Sequence, residues 1–146
     1  MYKYIVKIGG IVGLLLVLAL TGFEANAQKL PEKSVLEGER ILGRADAPVT
    51  LTEYASFTCP HCAALHRGAL VQIKKEYIDT GRVRLIYRDF PLDQTAEAAS
   101  MMARCAAPNR YFPLVQMLYR SQLNWARARN PSAALAQIGR LAGISQ

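Results

Sequence analysis

"VTLTEYASFTCPHCAALH", residues 49–66, decides how this chain folds. Val49 to Ser56 is rich in β-branched and aromatic residues and Pro48 punctuates its start, so it reads as a strand. From Cys59 the pattern turns helical. Leu65, Ala69, Ile73 and Tyr77 recur at a spacing of four and predict one apolar stripe. Asp79-Thr80-Gly81 stops that helix, and Arg82 to Phe90 reads as a second strand ended by Pro91. A strand, a helix and a strand of these lengths form a βαβ unit over residues 48–92, which makes the two strands parallel.

The segments on either side are less regular. Residues 28–47 are polar, with Pro31 and Gly38, and read as an extended lead-in with a short strand near Arg40–Leu42. After Asp93 the strand signals stop. Helices are expected over Thr95–Ala107, from Tyr111 to about Trp125, and from Pro131 to Leu141, where proline suits a first turn and Gly143 follows the end. Trp125, the tyrosines, Met101, Met102 and Met117 read as core or packing residues.

The first 27 residues stand apart. Lys3 and Lys7 precede an apolar run from Ile8 to Leu20, and Ala25-Asn26-Ala27 offers the small residues of a cleavage site. That is the pattern of a secretory signal peptide. The run falls short of the ~20 apolar residues of a membrane span, although an uncleaved leader would serve as an inner-membrane anchor. Export sets a compartment where thiols are not held reduced. The full chain carries a net charge of +7, yet its Lys and Arg are scattered, and no nucleic-acid partner is implied.

The cysteines carry the chemistry. The chain has three, two of them in Cys59-Pro60-His61-Cys62. The pair could be a redox couple, half of a zinc site completed by His66 and Cys105, or a structural crosslink. A crosslink across two residues constrains little, and zinc asks for four ligands. A helix start exposes free N–H groups and a partial positive charge, so a thiol there ionises readily. The thiolate is the reactive form. Cys59 is thus the expected nucleophile and Cys62, nearly one turn on, the resolving partner. Pro60 suits the first turn, and His61 adds a donor and, when protonated, a positive charge. Stabilising the reduced thiolate weakens the disulfide and makes the pair an oxidant. Glu53 lies in the strand six residues before Cys59. In a largely buried strand its carboxyl could accept and return the proton of Cys62; on a half-exposed strand it would simply face water. No cofactor is needed. His66 reads as an ordinary helix residue.

"EYASFTCPHC", residues 53–62, resembles the active-site segment of the DsbA family of thioredoxin-fold thiol oxidases, and "RLIYRDFPL", Arg84 to Leu92, resembles the family's next strand and the turn after it. The resemblance implies an α/β thioredoxin-like fold with an inserted helical domain, here residues 93–146. It implies a monomer in the periplasm that puts disulfides into exported proteins with free cysteines. It also implies an inner-membrane, quinone-linked reoxidase as partner. It further implies that the final β-hairpin, the last helix and the cis-proline loop are missing, since none of the prolines at 31, 48, 60, 91, 108, 113 and 131 follows the helices in a strand. Cys105 resembles a cysteine of the first inserted helix in some relatives; a buried free thiol is the other reading. The rival expectation from another class is a catalytically impaired remnant that at most binds a partner or zinc.

Overall fold

A computed structural model describes residues 38–144. The proposed signal peptide and most of the lead-in lie outside the described residues. Three strands, β1 (Arg40–Leu42), β2 (Val49–Ala55) and β3 (Val83–Asp89), form a sheet in the order β1-β3-β2. β2 and β3 run parallel, with Glu53 opposite Tyr87, as the βαβ reading requires. The short strand β1 is present and pairs antiparallel with β3, Ile41 opposite Ile86.

The connection between β2 and β3 is not one regular helix. Helix α1 (Pro60–Arg67) ends at Gly68, α2 (Ala69–Ile73) follows, and Lys74–Ile78 winds as a wider π-turn in which Asp79 N–H donates to Lys74 C=O at 2.8 Å. These changes rephase the buried face. Of the expected stripe, Leu65 and Ile73 are half-buried against Leu70, Ile78 and Leu85, while Ala69 and Tyr77 are exposed; the fully buried positions are Ala63, His66, Leu70 and Ile78. A stripe extrapolated at fixed spacing fails because each break turns the helix about its axis.

Residues 94–141 hold four helices: α3 (Gln94–Arg104), α4 (Pro108–Arg120), α5 (Gln122–Ala126) and α6 (Pro131–Leu141). Pro108 starts α4 earlier than expected because proline is tolerated at the first helical position. Asp93 and Asn130 cap α3 and α6 by accepting from Ala96 N–H (2.8 Å) and Ala133 N–H (3.0 Å). The main core joins both parts. Phe57, Ala63 and Tyr87 pack with Tyr111, Leu114, Leu118, Tyr119 and Trp125, and Trp125 Nε1–H donates to Leu118 C=O at 2.8 Å. Trp125 is a core residue as expected, but Met101 is two-thirds exposed and Met117 lies at the surface. α3 presents Ala96, Ala99 and Ala103 inward instead, whose small side chains admit close helix packing.

Candidate active site

Ser56 and Phe57 carry the chain from β2 into α1, and both are buried. Ser56 Oγ lies 3.1 Å from Thr58 Oγ1 and accepts from Leu92 N–H at 3.3 Å; Thr58 Oγ1 donates to Asp93 Oδ2 at 2.6 Å. The turn is also held from the helical side. The side-chain amide of Gln122, itself buried, donates to the carbonyls of Phe57 (2.8 Å) and Cys59 (2.9 Å). Thr58, Pro60, Asp93, Gln122 and Arg127 help line a cleft of about 260 Å³ beside the cysteines.

Cys59 is the N-cap of α1, with Pro60 at the first helical position. Its Sγ accepts a hydrogen bond from Cys62 N–H at 3.4 Å, so one of the free N–H groups of the helix start points at sulfur. Burial alone would push the Cys59 thiol up. The hydrogen bonds it accepts from Cys62 and from the His61 backbone outweigh that and hold it below its ordinary value. The Cys62 thiol moves the other way. Burial pushes it up; a backbone hydrogen bond from Ser56 opposes this, and the Cys59 sulfur and the negative charge of Glu53 add to it. The two sulfurs are thus unequal: the first favours thiolate and the second favours thiol. Both are free thiols here, as is Cys105 at the C-cap of α3.

Glu53 sits beneath this pair. The strand around it is not largely buried: Val49, Leu51 and Tyr54 are exposed, because among the described residues β2 has a partner strand on one edge only. The Glu53 side chain nevertheless retains only 9% of its exposure. The residue that covers it is His66, whose Nε2 lies 3.0 and 3.2 Å from the two carboxylate oxygens. The His66 ring stacks on Tyr119 (centroids 4.1 Å apart, planes at 24°) and meets Tyr87 edge-on. Tyr87 and Tyr119 share a buried hydroxyl–hydroxyl hydrogen bond of 2.7 Å.

The structure therefore brings Cys59, Pro60, Cys62 and Glu53 together. His61 is exposed, and its contribution to Cys59 is made by its backbone. His66 is no ordinary helix residue, and sequence reasoning did not find its pairing. The available signal was its position four residues after Cys62, which puts both on one helix face. Gln122 carried no signal, lying 63 residues from Cys59. Among the described residues no group of three metal-ligating side chains could hold an ion, and the histidine considered for zinc is engaged by Glu53.

A parallel βαβ unit with paired cysteines at its helix start and helices after its second strand is the arrangement of thioredoxin-fold disulfide proteins. The chain matches the Thioredoxin family over residues 35–145 and belongs to it, in the DsbA branch. A Rickettsia conorii protein bearing a protein-disulfide oxidoreductase name is 34% identical over 110 residues, covering 75% of this chain and 40% of that protein. The solved α-DsbA1 of Wolbachia pipientis superposes with a TM-score of 0.69 at 35% identity, covering 80% of this chain and 58% of that one. A protein-disulfide isomerase from Novosphingobium aromaticivorans gives 0.61 at 26% identity, covering 71% and 62%. The chain spans about two fifths of the length of the curated relatives it matches.

Proposed function

We propose that this protein is a thiol:disulfide oxidoreductase that donates its Cys59–Cys62 disulfide to other proteins. The observation that carries the reading is the inequality of the two thiols at the start of α1. A substrate thiolate attacks Cys59 Sγ and forms a mixed disulfide, and Cys62 leaves with the electron pair and takes up a proton. A second substrate thiolate then attacks the substrate sulfur of that bond and releases Cys59 as thiolate. Two electrons pass from the substrate dithiol to the enzyme. Because the helix start stabilises the released Cys59 thiolate, the reduced enzyme is favoured and the disulfide is a good oxidant. Glu53, beneath the pair, serves as proton donor and acceptor for Cys62. Pro60 fixes the helix start, and His61 adds charge near Cys59 when protonated.

The leader pattern of residues 1–27 supports a place in the periplasm. There the substrates are exported proteins with free cysteines. A monomer reoxidised by a quinone-linked protein of the inner membrane completes the reading.

A redox titration in glutathione buffers, with thiol trapping and mass measurement, tests it. The expected result is that Cys59 and Cys62 stay reduced until the buffer is strongly oxidising, in the parent and in Cys105→Ser alike. A pair that closes into a hard-to-reduce disulfide, or never closes, overturns it. With a cysteine peptide supplied as its disulfide, Cys59→Ser is expected to abolish the mixed disulfide, while Cys62→Ser accumulates it and releases the other peptide as thiolate.

A further inference from the structure

The contact between His66 and Glu53 joins two places. On one side is the carboxyl, whose charge bears on the Cys62 thiol. On the other is an apolar groove of about 600 Å³, lined by His66 and Leu70 from the helices after the cysteines, Leu42 from β1, and Phe112, Val115 and Gln116 from α4. Neither cysteine lines this groove, and none of its lining residues belongs to the cleft beside Pro60. His66 is 3% exposed. Its Nε2 faces both Glu53 oxygens, and among the described residues nothing hydrogen-bonds its other ring nitrogen, Nδ1. The ring is fixed by the stack on Tyr119 and the edge contact with Tyr87, and its backbone carbonyl accepts from Gln116 Nε2–H at 3.2 Å. An imidazole with one nitrogen on a buried carboxyl and the other unpaired can take a proton on one side and release it on the other.

We propose that His66 carries protons between Glu53 and the groove behind α1, so that Cys62 gains and loses its proton at the rear of the site and not through the face that meets substrate. This rests on the oxidoreductase reading above. When a substrate thiolate opens the Cys59–Cys62 bond, the proton that neutralises Cys62 comes from Glu53, and His66 restores it from water in the groove. When the pair is reoxidised, Cys59 first forms a mixed disulfide with a disulfide oxidant; Cys62 then returns its proton by the same route, and its thiolate attacks Cys59 Sγ and expels the oxidant's sulfur as thiolate. The other titratable groups facing His66 and Glu53 are the Tyr87, Tyr111 and Tyr119 hydroxyls and the Cys62 thiol, with Lys74 and Arg120 at the groove. Burial pushes Tyr87, Tyr111 and Tyr119 well above the ordinary tyrosine range, so they keep their protons throughout.

The test uses the full chain carrying Cys105→Ser, so that no third thiol consumes the oxidant, and oxidised glutathione. Reduced protein releases one glutathione when Cys59 attacks and a second when Cys62 closes the disulfide. The second release is followed from pH 5 to 9 in the parent, His66→Leu and His66→Gln. Glutamine can donate to Glu53 but cannot carry a proton, so both variants are expected to slow. The acid limb of the second release should move up by about one pH unit, which is about tenfold at neutral pH. The first release and the circular dichroism spectrum report that the variant is folded. If His66→Leu fails to fold, His66→Gln decides alone. The parent's rate and pH profile in either folded variant overturns the proposal. A parent that shows no second release, like the Cys62→Ser control, instead defeats the redox reading itself, which keeps the two failures apart.

Discussion

The sheet half and the helical half of this protein are built to different standards. Among the described residues the sheet half has its own small core of Leu70, Ile78 and Leu85, and it leaves Val49, Leu51 and Tyr54 at the surface of β2. The helical half buries Trp125, Tyr111, Tyr119, Leu114, Leu118 and Val115 almost completely. The cysteines belong to the sheet half by chain order, yet their support comes from the helical half. Phe57 is packed against Tyr119 with centroids 5.1 Å apart, and Gln122 holds the carbonyls on either side of Thr58. The difference teaches that the cysteine turn is seated on the helical core, with the strands as its mount.

The largest expected effect tests that asymmetry directly. Trp125→Ala removes a fully buried indole and its hydrogen bond, and should cost about 3–5 kcal/mol. Leu51→Ala, on the exposed strand, should change stability by no more than about 0.5 kcal/mol. Urea unfolding of both variants measures the gap. Equal losses would mean that the two halves share the stability evenly, and the contrast would fail.

A smaller effect is expected at the seam. Gln122→Ala leaves the Phe57 carbonyl without its amide donor, whereas the Cys59 carbonyl still accepts from Ala63 N–H. One unsatisfied buried carbonyl should cost about 1–3 kcal/mol. Proteolysis near residues 56–59 should also speed up if Gln122 fastens the turn. A variant with parent-like stability and proteolysis would show that the strand alone positions it.

The same division runs through what could be read in the sequence. The sheet half was legible: the β-branched run after Pro48, the stop at Asp79–Gly81 and the run before Pro91 marked both strands, and their lengths required parallel pairing. Cys59-Pro60 marked the start of α1 because proline and an N-cap side chain leave a local signature. The existence of helices after Asp93 was legible too. What they touch was not. The Tyr87–Tyr119 bond spans 32 residues and the Gln122–Phe57 bond 65, and no local pattern encodes either. Even the pairing of His66 with Glu53, 13 residues apart, depends on how α1 lies over β2. The buried face of the connection was misread where Gly68 and the π-turn rephase it, since periodicity predicts a face only while the helix stays regular.

The smallest effect is a pH dependence that sharpens the contrast at the cysteines themselves. In the reduced protein the Cys59 thiol lies below its ordinary value, so folding favours its thiolate. That stabilisation is fully present above the unfolded cysteine value of about 8.5 and is lost as the pH falls through the folded value. Cys62 is raised, so the folded chain holds that proton longer than the unfolded chain. Its contribution is present below about 8.5 and is lost as the pH rises through its folded value. The stability of the reduced chain should therefore climb toward the unfolded value and decline beyond it. Urea unfolding from pH 5 to 10 reads both limbs. Cys59→Ser should remove the climb and Cys62→Ser the onset of the decline at about 8.5, and the oxidised protein, which has neither thiol, should keep only the later decline at about pH 10 that the three buried tyrosines contribute. A climb that survives Cys59→Ser would place the titrating group elsewhere and remove the helix start as the source of the inequality between the two sulfurs.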